Sequence, residues 1–240
     1  MRPEQRTLGA VPKALWALLA AALTAQVAWQ GRQLSHTSAA IELPAPPSVH
    51  ALRLASFAEP EAAARLLALY VQSFDLGGAN SLPYQKLDYG RLVGWLRGIL
   101  ELDPRGQYPL FLAARVYAEN SDPIRARLAL DFVYEQFLID PNRRWPWLAH
   151  AALTAKHRLA DLPLARRYAS AVQRYTTAPD VPLWAKQMEV FILEDMNELE
   201  AARIMLGGML ESGMVHDPAE LRFLQQRLQE LQGRIGGATR

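Results

Sequence analysis

Cysteine is absent from all 240 residues. Its absence excludes disulfides, thiol catalysis, cysteine-ligated zinc and iron–sulfur clusters. No stretch alternates apolar and polar residues with a period of two, so strands are not expected. Neither a Gly-x-Ser-x-Gly elbow nor a His-Glu-x-x-His helix occurs. Gly77-Gly78 and Gly207-Gly208 lack the Gly-Lys-Ser/Thr ending of a phosphate loop. The first pair reads as a loop and the second as a point of close helix contact. A strong charge of one sign is missing too. The formal net charge is +2, yet Arg2, Arg6, Lys13 and Arg32 all flank the first apolar run. From Ser35 onward 22 basic residues face 23 acidic ones, so nucleic-acid binding is not expected.

What is present begins with that apolar run. Ala14 to Trp29 are sixteen residues without a charge. A membrane span needs about 20 mostly apolar residues, and extension to residues 11–30 supplies them, with Pro12 tolerated in the first turn. Trp16 and Trp29 would lie about 20 Å apart, near the two interfaces. Basic residues before the run put residues 1–10 in the cytoplasm and the rest outside. The expectation is a single-pass bacterial inner-membrane protein with a periplasmic domain. A cleaved signal peptide has the same charged start; its best small-residue site, Ser38-Ala39-Ala40, lies about ten residues past the run. A cytosolic helix is the third alternative.

Residues 31–58 read as a linker, extended by Pro44, Pro46 and Pro47. A helical domain is expected over 59–232, followed by a flexible tail at 233–240. Its helices are read as Pro60–Phe74 (core face Leu66, Leu67, Leu69 and Tyr70), Gln85–Leu102 (core Leu92, Trp95, Leu96, Ile99 and Leu100), Tyr108–Glu119 and Pro123–Ile139. They continue with Arg144–Leu159, one after Asp161, Pro182–Met196, Leu199–Glu211 and one after Asp217, whose apolar stripe is Leu221, Leu224, Leu228 and Leu231. Asp75–Pro83 reads as a loop, and Asp217-Pro218-Ala219-Glu220 as a capping box. The fold class is thus all-α: a transmembrane helix, then about nine helices in antiparallel hairpins.

Leu102-Asp103-Pro104 and Ile139-Asp140-Pro141 are 37 residues apart, and Pro179 and Pro218 continue the rhythm. Within this period Leu112, Ala114 and Tyr117, then Ala129 and Val133, form large–small helix faces. Trp147, Ala151, Ala152, Ala165 and Tyr168 form a similar set. The pattern resembles the tetratricopeptide repeat, although its standard period is 34; a generic α-hairpin solenoid accounts for it nearly as well. Either stacks hairpins around a concave surface. The strings LDPRGQYPL (102–110), DPNRRWPWLAHAALTAKHRL (140–159), LPLARRYA (162–169) and WAKQMEVFILEDMNELEAA (184–202) resemble an uncharacterised family of proteobacterial membrane-anchored proteins with tetratricopeptide-like repeats. That resemblance implies fold and topology and transfers no catalytic residue. More loosely, the organisation looks like envelope factors that assist cytochrome c maturation or export.

Charge is segregated along the chain. Residues 143–174 hold seven basic residues and one acid, whereas 175–200 hold six acids and one base. Either the two segments pair, or a basic face is left open for an acidic partner. Arg143-Arg144-Trp145-Pro146-Trp147 is the most unusual run, because arginine and tryptophan are enriched in binding hot spots; alternatively it starts and packs a helix. His150 and His157 stand seven apart, not at the i, i+4 spacing of a metal pair. His36, His50 and His216 fall in linker or loop. Glu194, Asp195, Glu198 and Glu200 lack the spacing of a calcium loop. No cofactor or metal is expected. The leading expectation is a non-catalytic scaffold binding an envelope protein through Arg143, Arg144, Trp147, His150 and Arg167. Reversing Arg143 and Arg144 to Glu is then expected to weaken capture without altering melting. A structural subunit held by its transmembrane helix is the alternative, and an exported enzyme a remoter one.

Overall fold

The computed structural model describes residues 12–34, 42–74, 83–213, 215 and 217–238. The protein is all-α: among the described residues there are eleven α-helices and no strand. In chain order they are α1 (Lys13–Leu34), α2 (Val49–Ala55), α3 (Pro60–Ser73), α4 (Tyr89–Leu102), α5 (Tyr108–Phe111), α6 (Pro123–Ile139), α7 (Pro141–His157), α8 (Leu162–Tyr175), α9 (Leu183–Asp195), α10 (Leu199–Glu211) and α11 (Pro218–Ala238). α5 continues through a π turn at Leu112–Val116 and a 3₁₀ turn at Tyr117–Glu119.

Punctuation by aspartate and proline cuts the chain into these helices. Asp88, Asp122 and Asp161 precede α4, α6 and α8, and their carboxylates accept from the amides of Arg91 (3.1 Å), Ile124 (2.9 Å) and Leu164 (2.9 Å). Each satisfies an amide that the helix leaves unpaired, and its charge suits the positive helix end. Proline sits in the first turn of α3, α5, α6, α7 and α8, where its missing N–H costs nothing. Asp140 alone joins α6 to α7.

From α3 to α11 each helix packs on its sequence neighbours. α4 also reaches α6, and α7 reaches both α5 and α9. The expected core of α4 is buried throughout, as are Leu112, Ala114, Tyr117, Ala129, Val133, Ala151, Ala152, Ala165 and Tyr168. Alanines let the helices approach closely, and fully buried tyrosines fill the space between them. The Tyr168 hydroxyl donates to Asp131 (3.0 Å) and that of Tyr89 to the Tyr117 carbonyl (3.0 Å). Burial, then the Asp131 carboxylate, pushes the Tyr168 phenol well above its usual range. A second core, including Leu193, Leu206, Leu224 and Leu231, joins α9, α10 and α11.

Several expectations are corrected. α3 buries Ala64, Ala68 and Val71, while Leu66 and Leu69 are 67% and 62% exposed; small side chains give α3 the closer fit to α4. α7 starts three residues earlier than its pattern indicates, because Pro141 begins it, and Pro146 lies inside it. Helix α11 runs on to Ala238, through the stretch read as a tail. Gly207 and Gly208 face open space rather than a helix. The end of the linker is part of the folded unit. Leu43 is buried, the Trp95 indole donates to the Pro44 carbonyl (2.8 Å), and Arg91 donates to that of Leu43 (2.9 Å). A Cβ on Gly94 would stand 2.6 Å from the Pro46 ring, so only glycine admits this approach.

The N-terminal segment forms α1, and all its described side chains are exposed. Among the described residues no helix is long and apolar enough to cross a membrane. The uncharged run is sixteen residues long, and Thr24 and Gln26 dilute it. Residues 1–11, 35–41 (with His36), 75–82 of the predicted loop, 214, 216 (His216) and 239–240 lie outside the described residues.

Candidate functional site

The five residues singled out in the sequence do not form one site. Arg143, Trp147 and His150 follow one stripe of α7 at i, i+4 and i+7. Arg144 points the other way, and Arg167 belongs to α8.

Arg144 is buried, contrary to its expected role in a partner-facing surface. Its Nη1 donates to the Gln136 carbonyl (2.7 Å) and to Gln136 Oε1 (3.0 Å), and its Nη2 to the Pro104 carbonyl (2.9 Å). Gln136 lies among the last four residues of α6, whose carbonyls have no helical partner. The one-residue joint leaves no room for a glycine cap, so the next helix supplies the donor. Burial lowers the Arg144 pKa below its ordinary value. Reversal to Glu would place a carboxylate against two carbonyl oxygens, so it cannot serve as a neutral surface probe. Arg143 is exposed and pairs with Asp140 at 3.3 Å.

Trp147 and His150 face α5. The Trp147 indole donates to Gln107 Oε1 (2.6 Å), and its ring meets Phe111 edge-on at 5.9 Å. Tyr108 stacks on Phe111 and donates to Gln72 Oε1 of α3 (2.9 Å). An aromatic surface thus runs across α5 to α7, and the Tyr108–Gln72 bond ties it to α3. Further along, Trp145 of α7 meets Trp184 of α9 at 5.5 Å. Arg115 Nη1 lies 3.3 Å from His150 Nδ1. Arginine can only donate, so Nδ1 accepts and the imidazole proton sits on Nε2, which is buried without a partner among the described residues.

Burial, then the Arg115 charge, lowers the His150 pKa, with Glu119 opposing weakly. The folded value lies below the unfolded one of about 6.5, so the unfolded chain takes up the proton first. The contribution of His150 to stability is therefore full above pH ~6.5 and is lost as pH drops below it. Urea unfolding at neutral pH and near pH 5 is expected to show this loss, and His150→Gln to reduce it. An equal loss in the variant would assign it to other groups.

The two oppositely charged segments do meet. Arg166 pairs with buried Glu189 at 3.3 Å, and Lys156 pairs with Asp195. Glu194, also buried, is held by Arg227 (2.6 and 3.0 Å) and Arg234 (3.2 Å). Pairing is incomplete, however. Arg167 is exposed and lies 4.4 Å over the Tyr134 ring. Sequence reasoning missed Asn142, whose side chain bonds Thr177 and the Ala178 amide and ties α7 to the α8–α9 loop. Asparagine beside a proline has no periodicity that would reveal this.

Among the described residues no group of three or more His, Asp or Glu converges as a metal site. The buried carboxylates among them, Glu189 and Glu194, are both engaged by arginine. A cavity of about 490 Å³ between the starts of α4 and α6 is lined by Asp88 and Asp122, both already used as helix caps. Comparison with protein-family models, curated proteins and solved structures finds no match.

Proposed function

We propose that this protein is a non-catalytic, tetratricopeptide-like scaffold that binds a protein partner through the first helices of successive hairpins. One observation carries the reading. Leu66 and Leu69 of α3, Tyr108 and Phe111 of α5, and the half-buried Trp147 of α7 give these helices exposed or partly exposed apolar side chains on a surface linked across all three. Contiguous exposed apolar surface marks interaction sites, and aromatic anchors dominate their energetics. The punctuation by Asp-Pro and the packing of each helix on its neighbours are compatible with a repeat architecture, whose concave face this surface would line.

The same proposal places the helical domain in the bacterial periplasm, with α1 as its membrane attachment. The support is compositional: from Ala14 to Trp29 only Thr24 and Gln26 are polar and no charge occurs, and so apolar a stretch favours a cover other than water. The same feature favours a second reading, a structural subunit gripped through α1.

Cross-linking of the full-length tagged protein in its native cells, followed by purification from solubilised membranes, tests the scaffold. A reproducible envelope partner is expected, with capture reduced about tenfold by Phe111→Ala together with Arg143→Glu, a loss of about 1.4 kcal/mol. Capture that survives these changes but fails when α1 is replaced by an unrelated membrane helix would favour the structural subunit instead.

A further inference from the structure

We infer that the groove along α8, flanked by Tyr134 of α6 and Glu189 of α9, is a second docking site, for an acidic peptide segment of a protein partner. The groove encloses about 440 Å³ and is lined by Tyr134, Arg166, Arg167, Ser170, Arg174 and Glu189, among others. Arg166 is neutralised by Glu189. Arg167 and Arg174 are both exposed, and neither has a carboxylate partner among the described residues. The groove therefore carries two uncompensated positive charges.

Geometry selects the ligand class. The Arg167 guanidinium lies over the Tyr134 ring and has N–H groups to offer a bidentate carboxylate. Arg174 stands seven residues further along α8, about 10.5 Å away along the axis. At that backbone spacing two separate carboxylates suit the pair better than one small anion. Two carboxylates three residues apart on a polyproline-II segment share one side and stand about 9 Å apart, which matches. Between the arginines lie Ser170 and Ala171, small enough to let a backbone approach, and Tyr175 lies exposed beside Arg174. The site is on a different helix pair from the Phe111–Trp147 surface, so the inference does not depend on that surface being used.

The test is fluorescence anisotropy with the full-length chain in non-ionic detergent. The probe is a labelled Gly/Ser peptide carrying two glutamates three residues apart; the controls are its diglutamine counterpart and inorganic phosphate. Saturable binding is expected, weakened about tenfold by Arg167→Ala with Arg174→Ala and strongly by raising ionic strength from about 0.05 to about 0.5 M. Phe111→Ala is expected to leave it unchanged. Arg167→Lys keeps the charge but loses the fork, so an intermediate loss is expected. Both arginines are exposed, and unchanged circular dichroism checks that the variants fold. No binding at millimolar peptide, equal binding of the diglutamine peptide, or equal binding by the double variant would each overturn the site. Displacement by phosphate at equimolar concentration would mean a small-anion site and overturn the peptide assignment.

Discussion

Replacing Arg144 by alanine is expected to lower the stability of the helical domain by about 2–4 kcal/mol, the range for removing charged hydrogen bonds and leaving buried acceptors unpaired. Three acceptors lose their donor: the Gln136 carbonyl, its side-chain oxygen and the Pro104 carbonyl. Two of these belong to the end of α6, and the third to the turn after α4, so the loss spreads over two hairpins rather than one. Urea unfolding followed by far-ultraviolet circular dichroism reads it as a shifted midpoint. Arg144→Lys is expected to recover only part, because one ammonium on a flexible stem cannot reproduce the fork. Arg143→Glu, one residue away, serves as the control: it breaks an exposed pair with Asp140, worth at most about 1 kcal/mol. Equal effects at the two positions would refute the clamp.

A comparable loss, about 2–4 kcal/mol, is expected for Arg227→Ala, but confined to the C-terminal end. The Glu194 side chain is only 5% exposed and takes two bonds from Arg227. Removing that partner leaves a buried carboxylate with Arg234 alone, and an under-compensated buried charge is the costly half of a broken pair. Hydrogen exchange is expected to accelerate across α11 and the α10 face it covers, with α4 to α8 unaffected. The partners are not equivalent. Glu194→Leu strands only arginines that are about a third to a half exposed, so it should cost less, and combined with Arg227→Ala it should recover most of the loss. A double variant no more stable than Arg227→Ala alone would show that the ion pair is not the source.

Helices α4 to α8 are legible in the sequence because two independent signals agree there. Aspartate or proline punctuation marks their ends, and leucine or alanine periodicity marks the faces. Where only one signal exists, the reading fails for a physical reason. In α3, hydrophobicity ranks leucine above alanine, whereas the α3–α4 interface selects by closeness of fit and buries Ala64 and Ala68. Pro44, Pro46 and Pro47 do mark an extended stretch. They say nothing of the groove it lies in, which is built by Gly94 and Trp95 some 50 residues on. The candidate site was legible only as composition. The Arg-Arg-Trp-Pro-Trp run is unusual, but adjacent positions on a helix face different ways. Arg144 therefore turns inward while Arg143 and Trp147 share the other side. Its carbonyl partners lie 8 and 40 residues away, and no side-chain pattern announces a carbonyl. Arg167 shows the converse case: the basic block pointed to it, and Tyr134 on another helix decides how its guanidinium is presented.

The docking of residues 42–48 against α4 has a consequence for reach. With that stretch and α2 committed to the folded unit, only seven residues, 35–41, separate α1 from it. Fully extended, they span at most about 25 Å. Whatever holds α1 therefore holds the helical domain within roughly one domain diameter. If α1 is held as proposed, the chain is a short leash, and the proposed surfaces on α5, α7 and α8 would meet only what comes close to that point.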